Sequence, residues 1–523
     1  MKKINQFLLK NDIRISSNPC VSPDFCLDWD SLKDDIKKGD IVVYDQSRVS
    51  TQEGVWHIVS NKNGDHAWKL TDCQQEDAIS LLEDGFGWGE KFYYPASYEN
   101  LINMKNVIFA SDPESTVFAR AGSNLSSKTL GIGARFTTLH WPGVFWVMKH
   151  LGIGLTANQN SIPRELVYDV DKMLEGKLDK CPFPFIGTDV PEGHQGQSVQ
   201  GMSHGNVLEN LKTGFHLSRI PWSFNADHQP IGGKYDSRED DLVSGCLFAS
   251  YITFDLSPEL IETNVPESND KRKAWVETHV DDGLVEKVRM RISSMFEDFN
   301  EEDFNELLCY VWPAMLKMKA RDAKYRAIRV EKFNTPQSQE YIRELSIDEL
   351  PGLTRPETTA IMLSLCELME MPVDFVAPAF GFQKNMPYPD NEKLRSLIEE
   401  QWNVCKHFGV SIGFHSGSGK SAENYQVMGE VTGSNLEIKT SGRYTYEMGI
   451  ALHSSSNEDD QRLWRDWFEF TIELAAQGAF SMQKTEKEMA RSFILDAYKV
   501  LKRSEPSELF SSVDTCMKCL REL

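Results

Sequence analysis

Two apolar runs of this chain end in histidine: RIPWSFNADH closes on Asp227 and His228, and VSIGFH closes on His415. Neutral imidazole nitrogens bind first-row divalent metals, and rigid strand ends would fix their angles, so His228 and His415 are candidate ligands. Such a site needs a third donor. Glu437, in the run LEIKT, is the first choice and Asp227 the second. A third run, YIRELSIDEL, carries Glu344, Asp348 and Glu349. Strand side chains alternate, so Glu344 and Asp348 share one face, and a carboxylate buried on that face is a natural proton-transfer group. Glu344 leads as the candidate acid/base, with Asp227 and Glu349 beside it.

Candidate anion-holding groups cluster in the same places. The turn HSGSGK supplies Ser416, Ser418 and Lys420, IKTSG supplies Lys439 and Thr440, FGFQKN supplies Lys384, and GIGARF supplies Arg135. Together these donors could hold an acidic sugar. HSGSGK lacks the glycine spacing and the strand-to-helix order of a nucleotide phosphate loop. Taken singly, each of these residues is more often a hydrogen-bonded structural group or a surface cation. Asp255, at the end of YITFD, reads as a structural residue at the start of SPEL, and His194 and His204 fall in a glycine-rich loop that could form a lid, with use as ligands the lesser alternative.

What would bring these residues together is a rhythm. Tyr341–Glu349, Val373–Lys384, Val410–Lys420 and Leu436–Gly442 each run from apolar strand into polar residues, recurring roughly every 25 to 35 residues, the spacing of parallel strands joined by crossovers. With further strands starting near 132, 153, 219 and 250, the count predicts an α/β chain with a (β/α)8 TIM-like barrel, whose strand ends share one rim. Two insertions interrupt it, at about 170–215 and at about 258–338, the latter charged and helical. Residues 1–128 read as a separate β-rich N-terminal module, an α+β unit, from strands such as GDIVVYDQSRV and EGVWHIVSN. The barrel is expected over 129–455, and 456–523 as amphipathic helices packing on it, with Trp464, Trp467 and Phe468 in the core.

The composition narrows the partners. A chain of 523 residues with 40% apolar and 11% aromatic content can bury a large core. Its net charge of −22 opposes nonspecific binding to nucleic acid or to a membrane surface. No window is long and apolar enough to span a bilayer. The start, MKKINQFLLKNDIRI, is broken by Lys10 and Asp12 and does not read as a signal peptide, which predicts a cytoplasmic protein with its ten cysteines reduced. Cys516 and Cys519 form one CMKC pair without the further ligands of a zinc site. A homo-oligomer is left open.

The segments GIGARF, NQNSIPREL, NADHQP, RELSIDE, APAFGFQK, HSGSGK and IKTSG, in that order between about residues 130 and 450, resemble the tagaturonate epimerase family of hexuronate catabolism. The resemblance implies an isomerase with a divalent metal (Mn, Zn, Co or Ni), an acid/base pair and a small anionic keto-hexuronate substrate. It implies metal roles for His228 and His415 and proton transfer by Glu344 or Glu349. The chain departs from the family pattern at Ala134, Gln383, Gly419 and Glu437. Tagaturonate and fructuronate differ at the carbinol carbon one position beyond the carbon next to the ketone, so enolisation cannot interconvert them. Retro-aldol cleavage, rotation of the aldehyde and re-addition can, and the long insertions would then serve as a lid. An aldolase that releases the fragments and a noncatalytic carbohydrate-binding descendant are the rival expectations.

Overall fold

The computed structural model of the chain describes residues 27–73, 78–121, 128–133, 137–159, 199–350, 352–383, 386–440, 443–482 and 484–523. Within the predicted module the first described element is a capped helix, Trp29–Lys38, in which Asp28 accepts from the Ser31 amide and Gly39 takes the left-handed C-cap position at φ 80°. Strands β1 (Val42–Thr51), β2 (Gly54–Ser60), β3 (His66–Thr71), β4 (Phe86–Trp88) and β5 (Lys91–Pro95) follow. They pair antiparallel in the order β1-β2-β3-β5-β4. Trp56 and Trp68 meet edge to face at 6.3 Å on one side of this sheet. Their apolar cluster takes in Leu101 and Phe109 of the helix Tyr98–Ser111, Leu208 and Leu211 of the helix Val199–Thr213, and Phe248 and Phe333.

The remaining strands are β6 (Thr129–Ile132), β7 (Thr156–Gln159), β8 (Ser223–Pro230), β9 (Tyr251–Asp255), β10 (Ile342–Ile347), β11 (Phe375–Pro378), β12 (Ser411–Phe414) and β13 (Leu436–Thr440). All neighbours are parallel and β13 pairs with β6, so the sheet closes. The TIM-like barrel expected from the strand rhythm is present, with the β-rich module before it. Local signals set its segments. Asp390 caps the helix Asn391–Phe408, whose C-cap Gly409 lies two residues before β12. A reciprocal Ser421/Asn424 capping box opens the helix Ala422–Thr432 that leads to β13. The charged stretch between β9 and β10 forms the helices Asn269–His279, Asp282–Met295 and Glu301–Lys332. On the last of these, buried Asp322 receives the Arg343 guanidinium from outside the barrel at 2.7 Å.

Compact packing divides the chain into Met1–Ser441 and Gly442–Leu523. The barrel strands and the N-terminal sheet both fall in the first unit. The second holds the helices Arg443–Ser454, Glu458–Ala479, Lys484–Val500 and Val513–Glu522. Its core is Ala476, Ala479, Ile494, Tyr498, Leu509, Cys516 and Cys519, which gives the CMKC thiols an apolar packing role. Trp464 and Trp467 are only half-buried and Phe468 is 42% exposed, so the core of this unit lies one helical stretch later than the aromatic spacing predicted. Among the described residues, no helix is long and apolar enough to cross a membrane.

His66 on β3 and His204 on the helix Val199–Thr213 are both buried. Burial pushes His66 down to about 3 and His204 down to about 4. The unfolded chain takes up these protons near pH 6.5, the native chain only far below it. Their contribution is therefore present above pH 6.5 and lost as pH falls towards 4, at roughly 2 kcal/mol per histidine by pH 5. Urea unfolding between pH 7.5 and 5 should show this decline, and His204→Gln should make it shallower. Equal slopes for the two proteins would refute the assignment.

Candidate active site

Strand register stacks polar side chains inside the barrel. Asn225, Thr253 and Glu344 come from neighbouring strands, with Thr253 level with Glu344. Asn225 Nδ2 donates to Thr253 Oγ1 at 3.0 Å, and Thr253 Oγ1 donates to Glu344 Oε2 at 2.6 Å. Glu437 and Lys439, two apart on β13, face the same interior. Tyr251 donates its hydroxyl to Glu437 Oε2 at 2.7 Å. The Lys439 ammonium donates to Asp227 Oδ1 at 2.6 Å, to Thr253 Oγ1 at 3.0 Å and to Glu344 Oε2, and lies 3.8 Å from Glu437 Oε2. Deeper still, Thr156 shares hydroxyl hydrogen bonds with Thr129 and, at 2.7 Å, with Ser223.

At the strand ends the histidines meet, their ring centroids 5.0 Å apart and planes crossed at 73°. Alternation alone would turn either Asp227 or His228 away from the interior. A bulge prevents this: Ala226 pairs with Ile252 and Gln229 with Phe254, so Asp227 and His228 together oppose Thr253. His228 takes φ 45°, a strained conformation for a non-glycine residue, and both side chains reach the mouth. Each imidazole has its own carboxylate. His415 Nδ1 lies 3.0 Å from Asp348 Oδ1, which also accepts from Ser346 Oγ at 2.7 Å. His228 Nδ1 lies 3.5 Å from Asp255 Oδ2, which belongs to the carboxylate that also accepts from the Ser257 amide. On their other edges, His415 Nε2 is 3.2 Å from Glu344 Oε1 and His228 Nε2 is 3.9 Å from Asp227 Oδ2.

The electrostatics follow from crowded carboxylates. Burial opposes charge on His228, yet Asp227, Asp255 and Asp348 overcome it and raise its pKa to about 10. His415 is likewise raised, against burial, by Asp348 and Glu344. Asp227, Glu344 and Asp348 are held below the usual carboxylate range by the neighbouring cations despite burial. Glu437 behaves oppositely: burial, helped by the Glu344 charge, pushes it up to about 8.

Asp227, His228 and His415 offer ligand atoms all within 4.8 Å of one another. Glu437 groups instead with Glu344 and His415, away from His228. The reason is register: Glu437 is level with Gly413, two residues below His415, and Lys439 occupies the layer above it. Asp227, the second choice from sequence, is the carboxylate that joins both imidazoles. His228 also approaches Asp255 and Glu349, the latter at 3.9 Å and 58% exposed.

The cations differ from expectation. Lys439 is enclosed by carboxylates, because its strand directs it inward. Lys420 is buried, donates to the carbonyls of Gln383 and Met386 at 2.7 Å each, and stands 5.0 Å over the Phe382 ring. Burial lowers its pKa to about 8. It ties the β11 and β12 loops together. Thr440 donates to Gly131 O at 2.7 Å across the β13–β6 seam, and Ser418 is buried. Ser416, at φ 53°, lines a cavity of about 340 Å³ with His415, Asp348, Leu353, Phe380 and Phe382. Arg135 and Lys384 lie outside the described residues. Sequence reading under-weighted Asp348 and Asp255 and passed over Tyr251 and Thr253. The alternation Tyr-Ile-Thr-Phe-Asp of β9, polar on every second residue, was the available signal.

A closed parallel barrel with a histidine–carboxylate mouth is a frequent enzyme architecture, and comparison with known proteins specifies the class. The tagaturonate epimerase family model matches residues 241–488. No curated protein matches the sequence. Among solved structures, fructuronate-tagaturonate epimerase UxaE from Cohnella laeviribosi is similar in three forms. The form with one glycerol has a TM-score of 0.54 at 15% identity, covering 94% of each chain. The form with two glycerols scores 0.52 at 14% identity, and the native form 0.51 at 15%, each covering 94% of this chain and 97% of the other. At these identities the structural likeness speaks for the fold. Together with the family match it defines the class as a barrel isomerase of the carbohydrate epimerase type. The family that the sequence resembles over residues 241–488 is tagaturonate epimerase.

Removing the ammonium from the barrel interior while keeping its bulk, as in Lys439→Met, leaves Asp227, Glu344 and Glu437 crowded without a counter-charge. Denaturant unfolding should show a loss of roughly 3–5 kcal/mol, partly recovered by adding Glu344→Gln. Wild-type stability for Lys439→Met would contradict the account of this network.

Proposed function

We propose that the protein is a metal-dependent epimerase of an acidic keto sugar, interconverting tagaturonate and fructuronate by retro-aldol cleavage and re-addition at the barrel mouth. The observation that carries the reading is the convergence of Asp227, His228 and His415, each imidazole backed by its own carboxylate. That arrangement fits a divalent first-row cation, because the Asp348 carboxylate on His415 Nδ1 fixes that tautomer and leaves Nε2 as the ligand atom. The charge balance also fits. Asp227, Asp255, Glu344 and Asp348 surround the mouth, while Lys439 is already shared among carboxylates. Among the described residues, the buried Glu437 Oε1 has no hydrogen-bond partner.

A cation held there would polarise the substrate ketone. The remaining work falls to the chain's own side chains. Glu344, tied by Lys439 and Thr253 through Oε2, presents Oε1 beside His415. That oxygen takes the proton of the substrate's carbinol hydroxyl as the adjacent carbon–carbon bond breaks. The bonding pair moves towards the ketone, and the hydroxyl carbon becomes an aldehyde. After the aldehyde turns over, the bond re-forms on its other face and Glu344 returns the proton to the new alkoxide. Glu349, on the solvent side of His228, is the second proton-transfer candidate. The cavity formed by Leu353, Phe380 and Phe382 beside His415 would limit the water reaching the separated fragments. Ser416 and Ser418, with Lys384, Arg135 and Thr440, remain the proposed substrate-side donors. The described cysteines are free thiols, which supports a cytoplasmic setting.

The test is an NMR time course of tagaturonate with enzyme and added Mn or Zn. Fructuronate should accumulate, and a chelator should stop it. Turnover indifferent to chelation refutes the metal role, and three-carbon products alone assign an aldolase instead. By calorimetry, Asp348→Asn should weaken metal binding about 10- to 100-fold, since it removes the partner that orients His415. Unchanged affinity would break the link between this carboxylate and the cation.

A further inference from the structure

We propose that Gly413 is a positioning residue for Glu344: its missing side chain is the space that the Glu344 carboxylate occupies. The inference rests on the reading of Glu344 as the proton-transfer group. Gly413 lies inside β12, where glycine weakens a strand and signals that something approaches closely. Its φ is not positive, so conformation does not demand glycine here. Space does. A Cβ at this position would stand 2.3 Å from Glu344 Oε1, 3.5 Å from Glu344 Cδ and 3.3 Å from Ala377 Cβ.

The first distance is far inside nonbonded contact, and the long side chain of Glu344 is not free to swing away. Its Oε2 is held by Thr253 at 2.6 Å and by Lys439, and its Oε1 faces His415 Nε2 at 3.2 Å. Glu344 therefore crosses from β10 past β11, whose residue at the level of Gly413 is the small Ala377, and ends against the backbone of β12. A methyl group at 413 would drive Oε1 off this point by about 1 Å, a displacement that can cost about 100-fold in rate when it affects a proton-transfer group. Substrate contacts made elsewhere at the mouth would be untouched.

The experiment is a cycle of the full-length wild type, Gly413→Ala, Glu344→Ala and the double variant, read by thermal unfolding, by titration with Mn, and by kcat and KM on tagaturonate. Gly413→Ala should lower kcat about 100-fold and change KM by no more than about threefold. It should lower Tm in the wild-type background and leave Tm unchanged in the Glu344→Ala background, because the clash has gone. An equal Tm loss in both backgrounds, or wild-type kcat in Gly413→Ala, overturns the proposal. If Gly413→Ala is insoluble, recovery of soluble protein in the double variant supports the clash and failure to recover it refutes it. If the wild type does not turn over tagaturonate, the functional reading fails by itself, and the Tm cycle still decides whether Gly413 and Glu344 are coupled.

Discussion

A single ammonium, that of Lys439, makes this barrel interior possible. Barrel centres are ordinarily filled by layers of branched apolar side chains, whereas here Asp227, Glu344 and Glu437 all point inward. Carboxylates without water are costly unless each finds a cation or a donor. Lys439 meets Asp227 and Glu344 directly, Thr253 bridges between Glu344 and Lys439, and Tyr251 supplies Glu437. The surplus charge then reappears at the mouth, where it raises both imidazoles. Interior and rim are therefore one electrostatic system.

The geometry of the rim depends on local distortion that this system supports. Asp227 and His228 share a face only because β8 carries an extra residue opposite Thr253, and His228 is held at positive φ by what surrounds it. Strain of this kind persists where packing over-determines it. On the opposite side, β12 is followed by His415 and then by Ser416, which is also at positive φ. Two strands thus turn sharply at the point where their imidazoles meet; Asp348 fixes the His415 ring by a hydrogen bond, and Asp255 stands 3.5 Å from His228 Nδ1. The loops beyond are tied by Lys420 through backbone carbonyls, a use of a buried lysine that supports the cavity wall.

The N-terminal sheet belongs to the same compact unit as the barrel through a continuous apolar cluster, from Trp56 and Trp68 to Phe248 and Phe333. Phe248 lies just before β9, the strand that carries Tyr251, Thr253 and Asp255. Packing of the module therefore bears on the strand that supplies three groups of the polar interior. Lys105 of the helix Tyr98–Ser111 reinforces that seam, donating to Ser338 O at 3.0 Å and standing 4.4 Å over the Phe333 ring.

Much of this was legible in the residues alone. The spacing of apolar runs implied a closed parallel sheet because parallel strands require crossovers, and the strand-end histidines implied a shared rim because such strands all point one way. Alternation within YIRELSIDE correctly turned Glu344 towards the interior. Periodicity, however, specifies a face and not a height: it could not tell that Glu437 sits a layer below His415, or that Lys439 would meet carboxylates before it could meet a ligand. Nor could it foresee a bulge that turns two consecutive residues inward, or a glycine against which a carboxylate from two strands away is packed. Those outcomes belong to the tertiary structure, because stagger around a closed barrel and the volume left at its centre are set by all the strands together.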